Sequence, residues 1–297
     1  MTARSAWPRI SELIVQEGAA DVALLGAPME ARSVTAADYH RAPAAIRAVL
    51  PRFGTYDVSR GEDLALRIRD YGDVAVQGVS PEDGFAPIRD AAAFCTSQHR
   101  LTILLGGHNA VTRPAAHGLG LPLRSVGLIT LDAHFDLRRT DEGLINGNPI
   151  RALLEDGMPG ANICQIGLAP FANSAEMHGV ARDSGIGICT IAECKAAGIV
   201  PILEHALARL RHTAAVMIDF DIDVIDRSQC PGAPGARPGG MPVDMFFEAA
   251  RYLAAQPKVK LVDLTEFDPG SDVADITALT AGRWFCEILA GFATRST

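Results

Sequence analysis

The chain lacks the features of a secreted, membrane-spanning or nucleic-acid-binding protein. None of its apolar runs approaches the roughly 18 residues of a membrane-spanning helix, and its first residues lack the basic start and long apolar region of a secretion signal. Its 27 Lys and Arg against 35 Asp and Glu leave a net charge of −8, which argues against general binding to nucleic acid or anionic membranes. We therefore expect a cytoplasmic protein with neither kind of partner.

Closely spaced cysteine pairs, internal repeats and Gly/Ser linkers are absent as well. The six cysteines are scattered, form no CxxC pair and lie partly in apolar runs. This distribution predicts reduced, mostly buried thiols and argues against a zinc–thiolate site. Because no repeat or linker divides the chain, we expect residues 1–297 to form a single domain.

Eight short apolar runs recur along the chain, with segments of helical spacing between them. Each run is almost continuously apolar rather than alternating, as expected for strands buried on both faces of a parallel sheet. The runs span residues 21–28, 73–78, 101–107, 126–134, 162–170, 186–194, 214–224 and 259–267. Strands that alternate with helices predict an α/β fold.

Two of these runs carry acidic side chains at alternate positions. The stretch LDAHFDLR has Asp132, His134 and Asp136 in this pattern, and the stretch IDFDIDVID has Asp219, Asp221 and Asp223. Alternate side chains of an extended segment point the same way. Buried like charges would repel and be costly, so the two runs together predict a bound pair of divalent cations. A half-exposed strand with a polar face is the alternative for the second run.

A Pro/Gly-rich segment, CPGAPGARPGGMP at residues 230–242, follows the second acidic run. Because it comes directly after a strand, we expect an ordered loop at the carboxyl edge of the sheet, where open α/β sheets place their sites. A flexible linker is the alternative.

These motifs resemble those of the ureohydrolases, the family of arginases, agmatinases and formimidoylglutamases. LDAHFD is similar to the DAHxD motif of that family, and the second acidic run with its Pro/Gly loop is similar to the other signature. LLGGHNAVT, residues 104–112, aligns with the family's GGDHSxT loop, and matches at residues 40–47, 70–74 and 264–281 extend the resemblance over nearly the whole chain. The resemblance implies a three-layer α/β/α fold with a parallel eight-stranded sheet, two Mn²⁺ ions per chain, and trimers or hexamers.

The resemblance also implies roles for individual residues. Asp132 and Asp221 match the carboxylates that bridge the two ions, and Asp136 matches the other carboxylate of the first ion. His134 and Asp223 match ligands of the second ion. Asp136 is also our candidate for carrying the proton to the leaving group.

Glu266 matches the acidic residue that pairs with the amidine or guanidine of the substrate, as a cationic head requires. Formiminoglutamate carries two carboxylates at its other end, so we expect Arg138 and Arg151 to bind that tail. A salt bridge to a nearby acid, or solvent exposure, is the alternative for each arginine. Arg237 in the Pro/Gly loop is a further candidate with no motif behind it.

The sequence departs from the family pattern in the GGDHS motif. The metal-binding histidine of that motif falls on Asn109, and His108 stands in place of its aspartate. The amide oxygen of Asn109 is a ligand that Mn²⁺ accepts, though more weakly than imidazole. His108 reaching in instead, or a loosely held first ion, are the alternatives.

A second departure is at Asn146, where arginases and agmatinases have a histidine that shuttles protons. Asn146 has no proton to exchange near neutral pH, and formimidoylglutamases are similar to this chain in lacking that histidine. We therefore expect a manganese-dependent formimidoylglutamase of histidine catabolism, with Asn146 among its substrate-binding residues. The alternatives are hydrolysis of a guanidino compound such as agmatine, with release of urea, and a non-catalytic family member that has lost one ion.

Overall fold

A computed structural model describes residues 7–295 and centres on a parallel sheet of nine strands. The strands of the described chain are β1 (Ile14–Val15), β2 (Val22–Ala27), β3 (Tyr56–Asp57), β4 (Glu62–Asp63), β5 (Ile68–Asp73), β6 (Leu101–Gly106), β7 (Val126–Leu131), β8 (Ile163–Leu168), β9 (Gly187–Thr190), β10 (Ala215–Asp221) and β11 (Val259–Thr265). The sheet order is β1-β5-β2-β6-β11-β10-β7-β8-β9, while β3 and β4 form a separate antiparallel pair.

Helices cover both faces of the sheet, because the side chains of its central strands are mostly apolar and nearly all buried. The helices are α1 (Ala42–Val49), α2 (Pro81–Gln98), α3 (Thr112–His117), α4 (Pro149–Glu155), α5 (Ala175–Asp183), α6 (Ile191–Ala197), α7 (Ile199–Arg209), α8 (Val243–Ala254) and α9 (Ile276–Phe292). Helices α1 and α6 to α9 share one apolar core with the sheet, and α2 to α5 share the other. The predicted three-layer α/β fold is confirmed.

The sheet differs from the expected eight strands at two places. Seven of the predicted runs contain a strand, but the run 73–78 overlaps β5 (Ile68–Asp73) only at its first residue. Val76 lies instead in the segment that connects β5 to α2, and its apolar side chain packs in the core shared by α2 to α5. The ninth strand, β1, adds two residues at the outer edge, next to β5.

Four neighbouring strands in the middle of the sheet end at the same edge because they run parallel. β6, β11, β10 and β7 lie side by side in that order. The Pro/Gly-rich segment packs at this edge as an ordered loop, with Ala233 and Met241 fully buried and a β-bridge between Ile225 and Met241. The two acidic runs and the loop motifs predicted to form a site therefore meet in one place.

Two further expectations concern the thiols and the membrane. All six cysteines are free, and four of them are buried. Among the described residues, none of the helices combines the length and apolarity that crossing a membrane requires.

Candidate active site

The two acidic runs meet at the carboxyl ends of β7 and β10. His134 Nδ1 lies 3.0 Å from Asp223 Oδ2 and 3.5 Å from Asp132 Oδ1, and one ligand atom from each of the three side chains lies within 4.8 Å of the others. Asp132 and Asp223 are almost completely buried. The described residues thus include a group with the donors and the spacing of a metal site.

Unpaired oxygens in this cluster support a bound cation. Asp132 Oδ2 and Asp223 Oδ1 are buried and have no hydrogen-bond partner among the described residues. Buried polar atoms are normally paired, and a buried carboxylate without a partner is costly. Carboxylate and imidazole groups suit a divalent ion such as Mn²⁺. The residues present therefore fit the group that the sequence motifs imply.

The pKa values of the cluster also indicate a bound cation. The Asp223 carboxylate raises the pKa of His134 to about 12, despite the opposing effect of burial. Burial raises the pKa of Asp132 to about 6, and burial together with the neighbouring Asp223 and Asp132 raises that of Asp221 well above its usual range. Gathering these acids without a compensating charge is unfavourable, and a divalent cation would relieve it.

Asp136 and Asn109 face each other next to this cluster. Asn109 follows β6 and its Nδ2 lies 2.8 Å from Asp136 Oδ2. Asp136 has a left-handed backbone, with φ of 51°, a conformation that non-glycine residues adopt mostly at functional or strained positions. Burial and the nearby Asp132 raise the pKa of Asp136 well above its usual range. The structure therefore brings Asn109 into the group of predicted ligands.

His108 points elsewhere. Its Nε2 lies 2.8 Å from the Ala31 carbonyl oxygen, and its Nδ1 accepts a hydrogen bond from the Ala110 backbone N–H. Both ring nitrogens are thus engaged by backbone groups in the buried interior. The alternative in which His108 replaces Asn109 as a ligand is not supported by this geometry.

Glu266 lies directly after β11 and also has a left-handed backbone, with φ of 63°. Its Oε1 accepts hydrogen bonds from the backbone N–H of Asn109 at 2.7 Å and from Asn146 Nδ2 at 3.0 Å. Burial raises the pKa of Glu266 to about 7, although these hydrogen bonds lower it. The amide oxygen of Asn146 accepts from the Val34 backbone N–H at 2.8 Å, so Asn146 holds Glu266 in place.

A pocket opens over these groups. It is lined by the predicted site residues His134, Asp136, Arg138, Asn146, Asp221, Asp223 and Glu266, and also by Tyr39, Phe171, Asn173 and Arg237. We call this the active-site pocket. Its floor is acidic, while Arg138 and Arg237 are exposed at its rim.

The three candidate arginines have different surroundings. Arg138 packs over Gly147, where an added Cβ would lie 2.8 Å from Arg138 Cδ, and Arg237 donates hydrogen bonds to carbonyls of its own loop. Arg151 lies outside the active-site pocket, on α4, where its Nε donates to Glu155 Oε1 at 2.9 Å. The prediction that Arg151 binds substrate is not supported, because a neighbour one helical turn away already pairs with it.

The third aspartate of the second run lies beneath the site. Asp219 is fully buried and faces Asp263, its register partner on β11. Burial and the Asp263 charge raise the pKa of Asp219 well above its usual range, and burial raises that of Asp263 to about 7. Two ionised carboxyl groups would repel in this setting, which disfavours the ionisation of both.

The Pro/Gly loop closes tightly on Asp223. At Gly235, an added Cβ would lie 1.9 Å from Asp223 Oδ2, so only glycine allows the loop to pass so close to this carboxylate. Asp226 fastens the same loop, accepting hydrogen bonds from the backbone N–H groups of Ser228 and Gly239. The loop thereby forms one wall of the site.

Tyr39, Asn173 and Phe171 are among the residues of the active-site pocket that sequence reasoning missed. Tyr39 is buried next to Glu266, and its side chain lowers the pKa of that carboxyl group against the larger, opposing effect of burial. Asn173 Oδ1 accepts a hydrogen bond from the Phe135 backbone N–H, which connects the loop of Asn173 to the first acidic run. Phe171 is fully exposed at the rim of the pocket, with φ of 62°. Tyr39 directly precedes the motif-like segment 40–47, which is the signal that could have pointed to it.

Comparison with known proteins agrees with this site. Residues 20–291 match the arginase family. The chain is 31% identical to a formimidoylglutamase of Halalkalibacterium halodurans over 92% of this chain and 88% of that protein, and 29% identical to one of Bacillus subtilis over 95% and 92%. The crystal structure of formimidoylglutamase from Bacillus subtilis superimposes with a TM-score of 0.92 at 27% identity, covering 100% of this chain and 97% of the other. This chain, as its motifs predicted, belongs to the arginase family.

Proposed function

We propose that this chain is a formimidoylglutamase, which hydrolyses N-formimino-L-glutamate to L-glutamate and formamide. The expectation of a hydrolase that acts on the C–N bond of a linear amidine is confirmed by the family and by the relatives named above. We infer a cytoplasmic enzyme, with one catalytic domain in each chain of a trimer or hexamer.

The observation that carries the proposal is the division of charge in the active-site pocket. Glu266 is a buried carboxylate at its floor, and Arg138 and Arg237 are exposed guanidinium groups at its rim. Formiminoglutamate has a cationic amidine head and an anionic tail, so its charges match both ends. Agmatine is cationic at both ends, and its tail would be repelled at the rim.

Two Mn²⁺ ions fit the acidic floor of the pocket. The residues that we assign as their ligands are Asn109, Asp132, His134, Asp136, Asp221 and Asp223. Bound Mn²⁺ supplies Lewis acidity that activates water for attack near neutral pH. The support for this assignment is the unpaired oxygens of Asp132 and Asp223 and the raised pKa values around them.

The remaining steps belong to side chains of the pocket. Glu266 orients the amidine carbon for attack, and the hydrogen bonds from Asn146 Nδ2 and the Asn109 backbone N–H fix the direction of its carboxylate. The amide of Asn146 does not ionise near neutral pH, so it cannot act as a general acid. Asp136 is the ionisable group of the pocket that we assign to carry the proton to the leaving nitrogen.

The experiment is a comparison of substrates with Mn²⁺-loaded protein. We expect formiminoglutamate to yield glutamate and formamide, and agmatine to yield little urea. The Arg138→Gln variant should lose about 10- to 100-fold in kcat/KM for formiminoglutamate, since a hydrogen bond to a charged group contributes about 1.5–3 kcal/mol. Arg151→Gln is the matched control and should behave as wild type.

Two outcomes would contradict the proposal. Release of urea from a guanidino substrate, with no formamide from formiminoglutamate, would make the chain a guanidino hydrolase instead. One Mn²⁺ ion or none per chain after loading, together with no activity on either substrate, would favour a non-catalytic family member.

A further inference from the structure

A row of buried polar side chains connects Asp263 and Thr265 on β11 to Asn109. Thr112 and Thr265 in this row have no other role in the site. Thr112, the first residue of α3, places its Oγ1 2.6 Å from Asn109 Oδ1 and 3.0 Å from Asp263 Oδ2. Thr265 Oγ1 lies 3.4 Å from the same Asn109 oxygen. Asn109, Thr112, Asp263 and Thr265 are all at most 1% exposed.

The balance of hydrogen-bond donors and acceptors among these side chains decides whether the oxygen or the nitrogen of the Asn109 amide faces Thr112. A threonine hydroxyl has one proton to donate and two lone pairs to accept. With Oδ1 turned towards Thr112, that hydroxyl meets the amide oxygen and the Asp263 carboxyl group, and when Asp263 is ionised it can donate to only one of them. The oxygen and nitrogen of a side-chain amide are assigned from their hydrogen-bond partners. The opposite orientation, with Nδ2 of Asn109 turned towards Thr112, is therefore the alternative.

In the opposite orientation the hydroxyl groups of Thr112 and Thr265 each meet a matching partner. Asn109 Nδ2 donates to the hydroxyls of Thr112 and Thr265, and Thr112 donates to Asp263 Oδ2. The amide oxygen then faces Asp136 Oδ2, at the position that lies 2.8 Å from it. Two oxygens facing each other repel unless a cation lies between them.

We propose that Asp263 and Thr112 are positioning residues that turn the Asn109 amide oxygen towards the first metal ion. The inference rests on the proposed two-ion site and deepens it, since neither residue contacts substrate. Imidazole ligands are held by a partner on their other nitrogen, and here the hydroxyl of Thr112 does the same for an amide. An asparagine in place of the family's histidine needs this support, because either end of its amide can face inward.

The test is a set of four variants whose Mn²⁺ affinity is measured by titration calorimetry and whose bound metal is counted after gel filtration. Thr112→Val keeps the shape and removes the hydroxyl, and should weaken one of the two ions by about tenfold or more. Thr112→Ser keeps the hydroxyl and should bind as wild type. Asn109→Ala should weaken the same ion, and adding Thr112→Val to it should have no further effect.

The double variant separates positioning from mere structural support. If Thr112 acted through packing alone, its substitution would lower affinity equally with and without the amide, and the inference would be overturned. It would also fail if Thr112→Val bound both ions as tightly as wild type. Thr112→Ala replaces Thr112→Val, with the same expected result, if the melting temperature of the metal-free valine variant shows that it does not fold.

A wrong assignment of the metal ligands would give a different result from a wrong positioning role. If Asn109→Ala itself binds two ions with wild-type affinity, Asn109 is not a ligand, and both the ligand assignment and the inference are wrong. If Asn109→Ala weakens one ion while Thr112→Val does not, the ligand assignment stands and only the positioning role falls.

Discussion

Replacing Gly235 with alanine should empty the metal centre while leaving the fold intact. The added Cβ would lie 1.9 Å from Asp223 Oδ2, and ordinary contact at about 3.4 Å requires a shift of about 1.5 Å. Metal ligands are held to within about 0.2 Å of their ideal distances. Asp223 is buried and the loop around Gly235 is pinned by Asp226, so neither side can yield without disturbing the site.

We expect Gly235→Ala to lower Mn²⁺ affinity by about 100-fold, the upper end of the cost of disturbing the support of a metal ligand. The measurements are metal content after desalting, titration calorimetry and the rise in melting temperature on adding Mn²⁺. Gly179→Ala on α5 is the control, because a Cβ there meets nothing within 4 Å, and a helical alanine should add about 0.5–1 kcal/mol of stability. Wild-type affinity in Gly235→Ala would refute the reasoning, since Asp223 would then not need its observed position.

Three further changes have expected outcomes. Glu266→Gln should keep the melting temperature but lower kcat/KM by roughly 30-fold or more, about 2 kcal/mol, because the cationic head loses its buried counter-charge; an unchanged kcat/KM would remove Glu266 from the site. Stripping Mn²⁺ with a chelator should lower the free energy of unfolding by about 2.7 kcal/mol for each of the two ions, relative to protein with free Mn²⁺ at 100 times the dissociation constant, as differential scanning calorimetry would show. Burial raises the pKa of Asp156, but hydrogen bonds from His117 and Arg113 outweigh it and lower the pKa from 3.8 to about 2. Asp156 therefore stabilises the fold above pH 4 and loses this contribution as the pH falls through 2. In urea unfolding at pH 7, Asp156→Asn should lower the free energy of unfolding by at most about 2 kcal/mol. An equal loss of stability at pH 2 would contradict the assignment.

Much of the site could be predicted because its residues follow parallel strands that end at one edge of the sheet. The structure brings Asp132 and His134 together and places Asp136 in the pocket, but all three lie in the loop after β7 rather than in an extended strand, and Asp136 has a left-handed backbone. The pairing of Arg151 with Glu155 was also readable, because four-residue spacing on a helix brings opposite charges together.

Other features depend on contacts that no local pattern encodes. The ring of His108 is directed by the carbonyl of Ala31, 77 positions away in the chain. The left-handed backbones of Asp136 and Glu266 have no glycine or asparagine to signal them. The strand at Ile68–Asp73 was misplaced because its residues are largely polar, while the apolar run after it packs beneath a helix instead.

The order of the strands constrains how the chain is made. β11 lies between β6 and β10, so both of those strands present a bare edge until residues 259–265 have left the ribosome. At about 5–20 residues per second, translation from the end of β10 to the end of β11 takes roughly 2 to 9 s. Exposed edges of this kind recruit other chains. A stalled or truncated product that ends before β11 should therefore aggregate or be held by chaperones, even though both acidic runs are already present in it.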